Sequence, residues 1–212
     1  MICSSLRGTK CLLARAGSLL TSSNSYHPLR YWAAVRSNSS SSTRIAATAD
    51  DSITWRKEYR IQGQGFKNQC TVQTEDDFII CSDIPKSMGG GNSAPQPVLL
   101  LLAALAGCET ATANFVARHL KIRIRGISFE IEAWRDQRGA LSLPITQTEG
   151  GSGQLMIPAM LQVVSGTAVV DTDSTQEEVD ELSHQVHIRC PVASMMTRSG
   201  CQLNIKWIKK SE

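Results

Sequence analysis

Pro97-Val98-Leu99-Leu100-Leu101-Leu102-Ala103-Ala104-Leu105-Ala106-Gly107-Cys108 is the stretch that decides the fold. Proline suits the first turn of a helix, where its missing N–H would have no partner anyway. The nine residues that follow are apolar on every side. Such a helix is expected to be buried, here against a sheet and a partner subunit. Polarity rises after Cys108 at Glu109, Thr110, Thr112 and Asn114, and Arg118 and His119 sit where cations favour a helix C-terminus. The uncharged run ends at Glu109, well short of the ~20 residues that a membrane span needs, so no span is expected.

Working outward, residues 54–61, 66–74 and 78–82 are short runs rich in β-branched and aromatic residues. With Gly63-Gln64-Gly65 and Glu75-Asp76-Asp77 as turns, they predict an antiparallel meander. Gly89-Gly90-Gly91 then forms a flexible linker or pocket wall, lacking the lysine and serine spacing of a phosphate-binding loop. On the other side of the helix, residues 122–134 alternate, with Ile127, Phe129, Ile131 and Ala133 on one face and a bulge marked by Gly126. A loop is expected over 136–152, a strand over 159–170, and a last strand with Leu203, Ile205 and Trp207 on one face. Trp55, Trp134 and Trp207 are read as packing residues of strands. Ser174 is the expected cap of a helix opening with Glu177, Glu178, Asp180 and Glu181. Strands, buried helix, two strands, helix and strand make an α+β fold.

The first 49 residues do not read as core. They hold no acid, six bases and the run Ser39-Ser40-Ser41-Ser42, which predicts an organelle-targeting presequence, mitochondrial matrix first and plastid second. Of the 22 basic and 19 acidic residues, residues 50–212 therefore keep 16 and 19, a net charge of −3. The chain's basic balance belongs to the presequence and argues against nucleic-acid binding. Residues 50–212 suit one domain. Its five cysteines, Cys70, Cys81, Cys108, Cys190 and Cys201, are an odd set at irregular spacing, fitting individual thiols in a reducing compartment.

Cys108 alone reads as a small core residue, flanked by Ala106-Gly107 and Thr110-Ala111. Cys190 changes that reading. It precedes Pro191, which opens a new helix, so the helix N-terminus is expected to favour the Cys190 thiolate. His184, His187 and Cys190 are spaced by three, a pattern compatible with metal ligands, but no fourth ligand is evident and no metal is expected. His187 is the alternative tuner of Cys190, and Cys201 is expected to pack in the last strand.

The Pro97–Cys108 segment resembles the cysteine helix of the OsmC/Ohr family, and Arg189-Cys190-Pro191-Val192, after an acidic helix, resembles its second cysteine motif. The resemblance spans about residues 53–209. It implies an intertwined homodimer in which strongly bent antiparallel sheets surround the central cysteine helices. It also implies a thiol peroxidase for alkyl or lipid hydroperoxides, active in oxidative-stress defence and needing no cofactor. In that role Cys108 attacks the peroxide, Cys190 resolves the sulfenic acid, and a lipoyl-type or thioredoxin-like dithiol regenerates the pair. One departure stands out: the family's peroxidases place a glutamate one or two positions after the proline, where this chain has Val98 and Leu99. The arginine that pairs with that glutamate has no clear counterpart among Arg56, Arg60 and Lys86. Two other readings therefore stay open, a non-catalytic binding or assembly protein and a redox-sensing thiol switch.

Overall fold

The computed structural model describes residues 55–141 and 157–211. The presequence reading of residues 1–49 and most of the expected 136–152 loop lie outside them. The chain divides between Lys57 and Glu58, and the fold described here is that of the second unit.

Three strands open it: β1 (Ile61–Phe66), β2 (Gln69–Thr74) and β3 (Ile79–Ser82), an antiparallel meander in that order. The meander is as expected, but its first turn is displaced. The chain runs extended through Gly63 and Gly65 and reverses at Lys67-Asn68, with Lys67 at φ 54°. A Cβ at Gly63 would lie 3.2 Å from the Val72 side chain. Gly63 thus marks close packing within a strand, and neither glycine forms the turn. The second turn falls where Glu75-Asp76-Asp77 places it, with Asp77 at φ 63°.

Helix α1 (Pro97–Leu120) follows, with Pro97 in its first turn and Lys121 closing it in a left-handed conformation whose N–H donates to the Ala117 carbonyl. Only one stripe of α1 is buried within the chain: Leu105, Glu109, Ala113, Val116 and Ala117. Leu99, Leu101 and Phe115 stay 53%, 42% and 51% exposed. Within the single chain the sheet and helices behind α1 cover only one of its faces, and the expected burial against a partner subunit concerns the other. By length and composition alone α1 could cross a membrane, yet its inner stripe carries a glutamate and packs into the core formed by the second half of the chain.

That core rests on β4 (Ile124–Trp134), β5 (Val163–Thr172) and β6 (Gln202–Lys209). The expected bulge is present, since the β4–β5 register shifts between Ile124 and Gly126. Antiparallel pairing holds for β4 with β5. β6 instead runs parallel to β5, which corrects the all-antiparallel expectation, and the two are joined by a helical crossover, the connection that parallel neighbours require. Short helix α2 (Arg138–Leu141) interrupts the expected loop. The crossover consists of α3 (Gln176–Arg189) and α4 (Pro191–Arg198). The cap of α3 is Thr175 and not Ser174: its hydroxyl accepts from Glu178 N–H while Glu178 accepts from Thr175 N–H. This reciprocal pair satisfies two otherwise unpaired donors. Val179, Leu182 and Val186 of α3 pack fully buried with Val164, Ala168 and Val170 of β5. Phe129 meets Trp207 edge-on at 6.0 Å. Of Trp55, Trp134 and Trp207, the last is a core residue and the other two are exposed.

Candidate functional site

Cys108 lies midway along α1, one position beyond the buried stripe, and is half-buried against the core. On the helix surface, the residues three and four positions away are neighbours. On the outer side these are Ala104 and Ala111, both small and exposed, so within the single chain the approach to the thiol is open. Cys190 occupies the break between α3 and α4. Its N–H closes α3 by donating to the Val186 carbonyl at 2.8 Å, and its sulfur accepts from Ala193 N–H at 3.5 Å as α4 begins. Pro191 enforces this arrangement, since it cannot continue the α3 hydrogen-bond ladder yet fits the first turn of the next helix.

Both cysteines are free thiols, and the two side chains interact. Cys190 is fully buried, and burial pushes its thiol up to about 11. The N–H groups of Ala193 and Val192 oppose that shift, while the neighbouring Cys108 thiol adds to it. The expectation that the helix start stabilises the Cys190 thiolate is thus corrected. The donors are there, but removing the sulfur from water outweighs them. Among the described residues no arginine hydrogen-bonds to Cys108.

The glycine-rich loop ahead of α1 is an anchored structure rather than a loose linker. Asp83, at the end of β3 and fully buried, accepts from the N–H groups of Ile84 at 2.8 Å, Gly91 at 3.1 Å and Ser93 at 2.9 Å, and from the Ser93 hydroxyl at 2.8 Å. These donors, with Ser93 foremost, hold its carboxyl well below the usual carboxylate range. Asp83 N–H also donates to the Pro95 carbonyl at 3.1 Å, tying the strand end to the residues just before Pro97.

Glu109, next to Cys108, turns the other way. Successive helical residues point about 100° apart, which brings Glu109 into the core at 2% exposure. Its Oε2 is buried without a hydrogen-bond partner, and burial pushes its carboxyl up to about 7. It reaches a cavity of about 280 Å³ between α3 and β6, where Asp180, Ser183, His184 and His187 of α3 form the polar wall. Leu203, Ile205 and Trp207 of β6 form the apolar one. The structure separates the His184, His187 and Cys190 set: both histidines line this cavity, whereas Cys190 is a buried cap on the core side. Among the described residues no three His, Cys, Asp or Glu side chains converge as metal ligands. Cys201 is buried at the start of β6, and burial raises its thiol too. Asp83 and Glu109 were not singled out by sequence reasoning. Asp83 had a signal, an acid beside a glycine run rich in free N–H groups; Glu109 had its charge inside an otherwise apolar helix.

Residues 90–206 match the family model described as OsmC-like protein. Among solved structures, an OsmC-like protein from Mycoplasma pneumoniae is similar at TM-score 0.58 and 22% identity, covering 73% of this chain and 99% of that one. An organic hydroperoxide resistance protein OsmC from Legionella pneumophila is similar at TM-score 0.53 and 21% identity, covering 72% and 97%. An organic hydroperoxide resistance protein from Elizabethkingia anophelis is similar at TM-score 0.53 and 17% identity, covering 73% and 98%. At these identities the likeness is one of fold. No curated protein matches the chain.

Proposed function

The chain belongs to the OsmC-like family, and from that premise we propose that it is a thiol-dependent peroxidase reducing organic hydroperoxides, with Cys108 as attacking and Cys190 as resolving thiol. The observation that carries the reading is the pairing of an approachable Cys108 with a buried Cys190 whose thiol is held protonated. Only a thiolate attacks a peroxide, and the Cys108 side chain interacts with that of Cys190. The chain has Val98 and Leu99 where the family's peroxidases carry a glutamate, so Cys190 is the partner that the fold sets beside Cys108.

The Cys108 thiolate attacks the terminal peroxide oxygen. An S–O bond forms, the O–O bond breaks, and the alkoxide takes a proton and leaves as the alcohol. Cys108 is now a sulfenic acid, oxidised by two electrons. Cys190 sulfur then attacks Cys108 sulfur; the S–S bond forms, the S–O bond breaks, and water leaves. A lipoyl-type or thioredoxin-like dithiol returns two electrons and two protons and is itself oxidised to a disulfide. The names of two structural neighbours, both organic hydroperoxide resistance proteins, support this choice of substrate. The uncovered apolar surface, Leu99, Leu101 and Phe115 on α1 with Ile79 and Ile80 on β3, supports a homodimer, because exposed apolar groupings of this kind mark interaction sites. The acid-free first 49 residues support import into the mitochondrial matrix.

The test is consumption of cumene hydroperoxide by the full chain with dihydrolipoamide. Cys108→Ser is expected to abolish it. Cys190→Ser is expected to stop dithiol-driven turnover yet leave a sulfenic acid on Cys108 that a dimedone-type reagent traps. Absent turnover, or turnover untouched by Cys108→Ser, overturns the proposal. The second reading, a non-catalytic binding or assembly protein, is favoured by Val98 and Leu99 together with a Cys108 that no described arginine reaches, and it is the one that absent turnover would support.

A further inference from the structure

We propose that the cavity between α3 and β6 is a binding site for a small primary ammonium compound with an apolar body, held by Glu109. Three observations meet there. Glu109 is almost wholly buried, and its Oε2 has no partner. A buried acceptor left unpaired costs the full desolvation of that group, so its natural complement is a donor arriving in the cavity.

The second observation is charge. Glu109 and Asp180 contribute two carboxyls, and no lysine or arginine lines the space. The other groups facing Glu109 are the Ser183 hydroxyl and the His184 and His187 imidazoles from α3, while β6 presents only apolar side chains. Two carboxyls with no lysine or arginine beside them make a wall that selects cations.

The third is shape. A metal ion is disfavoured because no three ligating side chains converge, and one side of the cavity is Leu203, Ile205 and Trp207. A volume of about 280 Å³ is close to the lower end of small-molecule pockets, enough for an ammonium head on Glu109 and a short hydrocarbon body against β6. The site is separate from the Cys108–Cys190 pair, and the inference does not depend on peroxidase activity.

The probe is hexylammonium chloride, titrated into the full chain at about pH 8 by calorimetry and by the indole N–H resonance of Trp207. Saturable binding that shifts Trp207 is expected, with hexan-1-ol and hexanoate binding at least tenfold more weakly. Glu109→Gln, which keeps the shape and removes the charge, is expected to weaken hexylammonium binding at least tenfold, the scale of losing a hydrogen bond to a charged group. Nearer pH 6.5, binding is expected to release a proton from Glu109, seen as heats that differ between phosphate and Tris buffers. If Glu109→Gln does not fold, the exposed Asp180→Asn carries the test with a several-fold loss. Failure to bind at about 10 mM, equal binding of hexan-1-ol, or undiminished binding by the folded Glu109→Gln variant overturns the proposal.

Discussion

Replacing Glu109 by Gln changes one property of the core, the ability of that side chain to ionise, and the consequence for stability has a definite pH profile. The carboxyl titrates near its ordinary 4.5 in the unfolded chain and at about 7 in the fold, with burial as the cause. A native value above the unfolded one means that the fold binds the proton more tightly. Below about pH 4.5 both states are protonated and ionisation costs nothing. As pH rises towards 7 the unfolded chain ionises first, and the wild-type fold loses stability until its own carboxyl ionises; above that the loss is constant. At about 1.4 kcal/mol per unit, the gap amounts to about 3 kcal/mol, reduced to about 2 kcal/mol where water entering the cavity solvates the charge. Urea denaturation of both proteins from about pH 4 to about pH 8.5 measures it. Asp180, His184 and His187 are common to both proteins, so their contributions largely cancel in the difference. The advantage of Glu109→Gln is expected to grow between about pH 4.5 and 7 and then level off. A difference that stays flat across the range, or one that grows towards acid, would refute the assignment of Glu109 as a buried carboxyl lacking a partner.

Three further outcomes are expected. With Cys190 fully buried and its thiol pushed up to about 11, iodoacetamide at about pH 8 should modify exposed Cys81 at least tenfold faster than Cys190, read by peptide mass; equal rates would remove Cys190 from the core. Asp83→Ala deletes the acceptor for the Gly91 and Ser93 amides, so hydrogen exchange at those two amides should accelerate while the β5 amides stay protected. Its carboxyl lies below the usual range, so the anchoring is present above the unfolded value near 3.8 and is lost only as pH falls through the lower native value. Leu101→Glu places a charge on the uncovered face of α1 and should halve the mass seen by light scattering, with the circular dichroism spectrum retained.

What the sequence disclosed followed from period and local chemistry. The β4 face of Ile127, Phe129, Ile131 and Ala133 stands out because a strand buried on one side alternates. The break at Cys190-Pro191 stands out because proline fixes its own backbone and removes a donor. The turn at Lys67-Asn68 did not, since Gly63 and Gly65 are the stronger turn formers and only the packing of Val72 beside Gly63 explains why they lie in a strand. Similarly, helix dipole and burial act on the Cys190 thiol with opposite signs. The dipole is legible locally from Pro191, but the burial depends on Cys108 and the surrounding core, which only the fold assembles.

Cys108 and Glu109 show the same limit at its sharpest. In one dimension they are neighbours, and the glutamate reads as the end of an apolar run. In the helix they diverge by about 100°, so one turn of α1 serves two environments: a thiol beside Cys190, and an acid in a cavity walled by α3 and β6. An unpaired acid at 2% exposure is destabilising above neutral pH, and a Leu at that place would continue the apolar stripe of Leu105, Ala113 and Val116 without that cost. A residue that works against the fold and faces a cavity is accounted for by what enters the cavity. If hexylammonium binding raises the unfolding midpoint of the wild type and leaves that of Glu109→Gln unmoved, the destabilising acid and its ligand are two halves of one design.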